Sequence, residues 1–482
     1  AEVCWLSEED IVASARMFAN AKTGSIAWGV AIEMMSNGPQ VAQCILDLNA
    51  ITGRLDAPGG VVIGPKATLT GKWRYENQQY VDPEDMEARI GTKEYPASAA
   101  SMAICHADTV LNVLETGKPY PLKFAWIHST NLYACGTSVP QRWFEAMKKL
   151  DFIVASDLFM TPTMMALADV VLPAATYEER DGFGGLNAYR ISCINKAIEP
   201  VGDSKPDNTI FLELGKRLTA AIKPENQDIA WPWDDVQEMW DYALEDGGFT
   251  WDELRESTWK YPEFKYRKYE TGDLRPDGQP GFRTETGRAE IYSMVFHHTS
   301  WSGLDPLPSY VEPVESPYSA PEDVEEYPYI VTSGARVPHF FHSEQRHIKR
   351  LRDLDPWPTV EMNPADAKRL GLTDGDWVYL TNMFGKCRQK VRVTPIIKEG
   401  TLMAKHGWWY PEKGPDDTGH GPFGVFDANI NQLVPHGLYG KLGFGSPFKC
   451  MICGVEKAEG GPDFETGWPA KAWDKAPAYL ER

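Results

Sequence analysis

Apolar and polar positions follow two different periods along this chain. Near the start the spacing is helical. Residues 7–22 read as a helix, with Ser7 placed to cap it and Asp10 in its first turn. Val41, Ala42, Ile45 and Leu48 share one face and predict a helix over Gln40–Thr52, closed by Gly53 and the tight loop Ala57-Pro58-Gly59-Gly60. Ala100–Leu114 returns to the helical spacing until Thr116-Gly117-Lys118-Pro119. Three short runs then carry apolar residues on both faces: Phe124–Ile127, Phe152–Ala155 and Asp169–Leu172. Helix-compatible sequence such as Gln141–Leu150 separates them, the pattern of a buried parallel sheet with crossover helices.

Residues 220–325 lose this order. They are rich in Trp, Pro, Asp and Glu and predict loops, short helices and irregular strands. From Tyr327 the pattern turns to β. Tyr329–Thr332, Trp377–Asn382, Gln389–Thr394 and Thr401–Lys405 are candidate strands, punctuated by Asp374-Gly375-Asp376, Phe384-Gly385-Lys386 and Lys398-Glu399-Gly400. A small closed barrel with a helix at Pro364–Leu370 suits them.

A length of 482 residues fits two to four domains. The 48 Lys and Arg against 68 Asp and Glu leave a net charge of −20, which argues against nucleic acid as the main partner. No apolar run approaches the length needed to cross a bilayer, and the compartment stays open. Eight scattered cysteines make no disulfide framework. Cys450 and Cys453 alone have a metal-like spacing, and a buried thiol pair explains them better than redox or zinc chemistry does. The ten histidines hold no tight metal motif, so no metal ligand is assigned.

Ligands of parallel sheets bind beyond the carboxyl ends of the strands. His128, Ser129, Asn131 and Asp157 fall there, either as ligand contacts or as turn and cap residues.

Longer stretches are specific enough to carry a resemblance. They include Asp157-Leu-Phe-Met-Thr-Pro-Thr163, then Ala168-Asp-Val-Val-Leu-Pro-Ala-Ala-Thr-Tyr-Glu-Glu-Arg-Asp-Gly182, and Gly281–Tyr292. The barrel region adds Thr332-Ser-Gly-Ala-Arg-Val-Pro-His339 with His342-Ser343, Asn363–Asp376, Lys405-His-Gly-Trp-Trp-Tyr-Pro411, and Asn429-Ile-Asn431 with Pro447-Phe-Lys449. Ala27-Trp28-Gly29 and Asn49–Gly60 fit as well. In this order the chain resembles the carboxyl-terminal two-thirds of a catalytic subunit of the DMSO-reductase family. Its wording is most similar to the branch of catechol dehydroxylases, pyrogallol transhydroxylase and acetylene hydratase.

The resemblance implies an α/β fold. Residues 1–29 would be the tail of a preceding α/β domain, and 30–215 the second half of a Rossmann-like domain lacking its N-terminal segment. Residues 216–326 would be an irregular α+β connection, and 327–482 a six-stranded double-psi-type barrel. It also implies the cofactor, a bis-molybdopterin guanine dinucleotide with molybdenum or tungsten. Asp157 would accept hydrogen bonds from guanine or ribose in a pocket with His128, Ser129, Asn131 and Thr163; Trp28, Gly29 and Asp207 are further contacts. In the barrel, Ser333, Gly334, Arg336, His339, His342, Ser343, Asn431, Phe448 and Lys449 would meet pterin and diphosphate. Arg336 can instead pair with Glu344 or Glu361, Gly334 can be a plain turn, and Phe448 can be core.

Relatives of this kind begin with a cysteine cluster for a [4Fe–4S] centre and carry a metal-ligand loop; no segment here matches either. The resemblance therefore implies an upstream segment or complementary chain, and an iron–sulfur partner for electrons. Its function would be oxo or hydroxyl transfer, or reductive dehydroxylation, on a small molecule. The 17 tryptophans suit an aromatic substrate or an aromatic core. The alternatives are a truncated, non-catalytic scaffold, or a pterin-free relative such as the large iron–sulfur subunit of NADH dehydrogenase.

Overall fold

In the computed structural model of the chain, each of the three two-faced apolar runs is a strand. They are β1 (Phe124–His128), β2 (Phe152–Asp157) and β3 (Val170–Pro173), parallel and in the order β1-β2-β3. Phe124 pairs with Phe152 and Val154 with Val170, so His128 and Asp157 end up at the same edge of the sheet. The structure describes residues 1–64, 82–96, 105–187, 190–257, 259–260, 265–299, 303–334, 337–414, 421–438, 440–443 and 445–462.

The chain divides into two compact units. One comprises Ala1–Gly29, Pro39–Met86 and Ala174–Ser309, the other Val30–Gly38, Glu87–Pro173 and Tyr310–Arg482.

In the first unit, helix Glu8–Asn20 is capped as expected: Ser7 accepts from Asp10 N at 3.0 Å. Helix Gly38–Ile51 matches the second predicted helix, and Gln43 Nε2 ties it to the carbonyls of Ile291 and Pro306. The pattern did not predict the antiparallel sheet of β4 (Gly182–Asn187), β5 (Arg190–Ile194) and β6 (Trp259–Lys260). Gly182, Gly184 and Gly185 lower the strand propensity of β4, so pairing comes from tertiary context. Ile191 packs there with Trp240, Leu244, Trp251 and Leu254 from helices Val236–Leu244 and Trp251–Ser257. Asp56, fully buried, forms an ion pair with Lys268 at 2.5 Å and also accepts from Lys268 N at 2.7 Å.

The second unit joins the parallel sheet and the expected closed barrel. Its strands are β7 (Tyr329–Ser333), β8 (Thr359–Met362), β9 (Trp377–Asn382), β10 (Gly385–Val393), β11 (Thr401–Ala404) and β12 (Met451–Lys457). Their order around the barrel is β10-β8-β11-β7-β12-β9. Alternation puts Val331, Val360, Val378, Leu380, Leu402 and Met451 in the core. β8 and β12 escaped the pattern reading, β8 because Pro358 and Pro364 stand just outside its two ends and read as loop signals. Helix Pro364–Arg369 sits where predicted, with Asn363 accepting from Ala365 N at 2.9 Å. Cys453 lies in the barrel core, while Cys450, just before β12, donates its thiol to the Glu315 carbonyl at 3.5 Å. Under the sheet, Leu111, Tyr133, Trp143, Met147 and Ile153 form a second core, which Trp409 and Phe423 complete.

Candidate functional site

At the end of β1 the backbone turns sharply. Ser129 adopts φ 49° and its N–H reaches the Ser156 carbonyl at 3.0 Å. His128 Nδ1 lies 2.8 Å from Ser156 Oγ, which also accepts from Trp126 Nε1 at 3.0 Å. These bonds fix the imidazole at the sheet edge. Asn131 Oδ1 accepts from the hydroxyl of Thr163 at 2.7 Å and from its N–H at 3.3 Å. Thr163 lies in the first turn of the short helix Pro162–Leu167, itself capped by Thr161. Asn131 Nδ2 is buried and has no hydrogen-bond partner among the described residues. Asp157 ends β2 and accepts from Leu158 N at 2.7 Å. Burial, reinforced by the charge of Asp157, pushes the carboxyl of Glu344 above its usual range. Glu344 belongs to the turn after β7, so the sheet edge and the barrel meet here.

The barrel side of this meeting is built on Arg346, which is 1% exposed. Its guanidinium lies 4.6 Å from the ring centroid of Phe340 and 4.5 Å from that of Trp408. It donates to the carbonyls of His342 at 2.6 Å and His406 at 3.1 Å. Burial pulls its pKa down to about 9. Nε is buried without a partner among the described residues. His342, at φ 51°, places Nδ1 2.9 Å from His406 Nε2. Cys135, His342 and His406 bring their ligand atoms within 4.8 Å of one another, a spacing that would admit a metal ion. Burial raises the Cys135 thiol despite the nearby Arg346 guanidinium. His347 packs edge-on against Phe159, 4.6 Å between ring centroids, and stacks on Trp409 at 6.0 Å.

Asn431 ties the same region together from a third direction: Nδ2 donates to the carbonyls of Cys135 at 2.9 Å and Thr137 at 2.8 Å. Around the exit of β7, Ser333 Oγ donates to the Phe448 carbonyl at 2.8 Å and Lys449 Nζ donates to the Ser333 carbonyl. Gly334 has φ 94°, and a Cβ there would run into Lys449 Nζ. Because Ser333 pairs with Ala404, His406 lies two residues beyond the neighbouring strand end. His339 Nδ1 is a buried atom with no partner among the described residues.

The structure therefore brings His128, Ser129, Asn131, Asp157 and Thr163 to one sheet edge, with His342 and Ser343 on the turn that meets it. Ser333, Gly334, Phe448 and Lys449 gather at the β7 exit. Phe448 also packs partly against the barrel core. Trp28, Gly29 and Asp207 belong to the first unit. Trp28 is 38% exposed there, and Asp207 is the first residue of helix Asp207–Ile222. Arg336 lies outside the described residues. Sequence reading missed Cys135, Arg346 and His406 as site residues. His406 was in a quoted motif and Arg346 lies four residues past His342, but only the fold reveals that they converge with Cys135.

The donor set fits a large anionic group with many acceptor atoms. Imidazole and guanidinium groups lie at the His342–Arg346 turn and an ammonium at the β7 exit, orphan polar atoms remain at Asn131, His339 and Arg346, and a glycine keeps the backbone bare at 334.

Comparison with known proteins agrees with that chemistry. Residues 13–217 match the family model of molybdopterin oxidoreductases, and residues 329–441 match that of the molydopterin dinucleotide binding domain. The chain belongs to the molybdopterin oxidoreductase family. Among its relatives is a dopamine dehydroxylase of Eggerthella lenta, 28% identical, matched over 86% of this chain and 46% of its own. An acetylene hydratase of Syntrophotalea acetylenica is also 28% identical, over 87% of this chain and 58% of its own. The solved structure of acetylene hydratase from Pelobacter acetylenicus superimposes with a TM-score of 0.82 at 25% identity. That match covers 94% of this chain and 63% of the other. The chain spans about half the length of the curated relatives it matches.

Proposed function

We propose that this chain is the larger part of the catalytic subunit of a molybdenum or tungsten oxidoreductase that holds a bis-molybdopterin guanine dinucleotide. The observation that carries the reading is the meeting of the sheet edge with the His342–Arg346 turn, on a chain that matches both family models. When bound, that cofactor supplies a metal able to exchange an electron pair and an oxygen atom with substrate. The residues here bind and orient it. Asp157, at the end of β2, accepts hydrogen bonds from a guanosine end. His128 and Ser129 line the same edge. Lys449 and the bare backbone at Gly334 receive the diphosphate of the other tail. Arg346 fixes the carbonyls of His342 and His406 and so sets the direction of both imidazoles.

The substrate class proposed is a small molecule undergoing oxo or hydroxyl transfer or reductive dehydroxylation. The names of the dehydroxylase and hydratase relatives support this reading. Electrons would travel through an iron–sulfur partner. A [4Fe–4S] centre and the metal ligand would come from an upstream segment or a complementary chain.

The test is metal content and released guanine nucleotide on protein purified anaerobically from its source. About one metal ion and two guanine nucleotides per complex are expected. Neither metal nor nucleotide would overturn the catalytic reading in favour of a scaffold.

A further inference from the structure

Three ligand atoms converge within the second unit: Cys135 Sγ and one ring nitrogen each from His342 and His406 lie within 4.8 Å of one another. The two imidazoles already meet, His342 Nδ1 to His406 Nε2 at 2.9 Å. Around a tetrahedral Zn²⁺, with Zn–N about 2.0–2.1 Å and Zn–S about 2.3 Å, two ligand nitrogens stand about 3.3 Å apart and a sulfur about 3.5 Å from each. The rings therefore need to part by only about 0.4 Å, and the thiol to close by no more than about 1.3 Å.

The backbone that carries these groups is unusual and is held in place. Cys135 lies in a π-helical turn, Leu132–Gly136, a rare conformation that recurs at functional sites. Asn431 fixes the Cys135 carbonyl at 2.9 Å. His342 takes φ 51°, a left-handed conformation that costs an L residue energy, and Arg346 pins it there by donating to its carbonyl at 2.6 Å. The same guanidinium holds the His406 carbonyl at 3.1 Å.

The surroundings suit a bound thiolate. Burial raises the free thiol, but the hydroxyl and N–H of Ser343 hydrogen-bond to Cys135 Sγ and the Arg346 guanidinium lies close, and all three favour the ionised sulfur. Donors of this kind are the outer partners that orient and tune a metal ligand. Glu344 brings a carboxylate to the same place. Lys405, which lines the opening beside the two imidazoles, is neutralised by Asp355 at 2.6 Å.

We propose that Cys135, His342 and His406 form a zinc site, with water in the fourth position, that clips the sheet-edge turn to the barrel. On binding, the thiol proton leaves to solvent and the proton between the rings passes to the other nitrogen of its imidazole. The ion thus gains one thiolate and two neutral imidazoles, a donor set that suits Zn²⁺. It is separate from the molybdenum or tungsten of the proposed function, and the inference does not rest on that reading.

Anaerobic titration of the intact protein with Co²⁺, after reduction and treatment with a chelator, tests this. About one equivalent should bind, with a thiolate-to-cobalt band in the near ultraviolet and the strong visible bands of a four-coordinate ion, and about one equivalent of Zn²⁺ should bleach both. Cys135→Ser should remove the near-ultraviolet band. His406→Gln should weaken Zn²⁺ at least about tenfold in competition with a chromophoric chelator, the least that even an outer partner is worth. Circular dichroism identifies the folded variants, and either one decides the matter if the other fails to fold. A near-ultraviolet band that survives in Cys135→Ser would place the metal on another cysteine and overturn the assignment. So would the weak bands of a six-coordinate ion, unaltered Zn²⁺ affinity in His406→Gln, or no cobalt spectrum at all.

Discussion

Asn431 and Cys135 lie 296 residues apart in sequence, yet the Asn431 amide donates to the Cys135 carbonyl at 2.9 Å. Its second hydrogen goes to the Thr137 carbonyl, so one side chain satisfies two carbonyls of the turn that carries Cys135. Asn429 does the same for Tyr133, at 3.2 Å. The Asn-x-Asn pair is thereby a clamp on the Cys135 turn, and the amide of Asn431 is already spent on backbone.

Asn431→Ala should leave two buried carbonyls without their donor and cost about 2–4 kcal/mol. A lowered urea midpoint, by clearly more than Gln432→Ala next to it, which loses a single 3.3 Å bond to the Phe426 carbonyl, checks the prediction.

Asp56 and Lys268 pair inside the first unit with side chains 0% and 4% exposed. Removing one partner strands the other, whereas removing both relieves the conflict. Lys268→Met should cost about 3–5 kcal/mol, and adding Asp56→Asn to it should recover part of the loss. Equilibrium denaturation of the single and double variants measures the difference.

Asp157 and Lys449 serve different ends of the proposed cofactor and should fail differently. Asp157→Ala should lower released guanine nucleotide severalfold at the sheet-edge pocket with the fold retained. Lys449→Ala should lower both nucleotide and metal content, because it also frees the Ser333 carbonyl beside Gly334. Nucleotide release and metal analysis on the two purified variants separate the effects.

Burial holds the His347 imidazole down to about 4. The unfolded chain takes up a proton near pH 6.5 that the folded chain refuses until near pH 4, so stability falls as pH drops through this window. Between pH 7 and pH 5 the loss from this group is about 2 kcal/mol. His347→Phe, which keeps a ring against Phe159 and Trp409, should flatten the fall in urea midpoint over that range.

Much of the architecture could be read from period alone. The strands over 124–128, 152–157 and 170–173 are runs apolar on both faces, and only a sheet covered on both sides asks for that. Their polar ends, His128 and Asp157, mark the candidate ligand edge for the same reason. Gly182–Asn187 was illegible because glycine carries no side-chain pattern, and Thr359–Met362 because Pro358 and Pro364 frame it like a loop. Cys135, Arg346 and His406 were beyond reach for a different reason. No local spacing relates them, and the bonds that unite them run between segments at least 60 residues apart or through backbone carbonyls.

Gly407 has φ 66°, and a methyl group there would stand 3.1 Å from His342 C and Ser343 N and 3.2 Å from Cys135 Sγ. Two segments distant in sequence, Cys135 and His342-Ser343, share the space of one missing carbon. Any side chain at this position acts as a wedge between the Cys135 thiol and the backbone of the turn that carries His342. Position 407 thus works as a gauge block for the site, and a change there would look like a binding defect while being one of spacing.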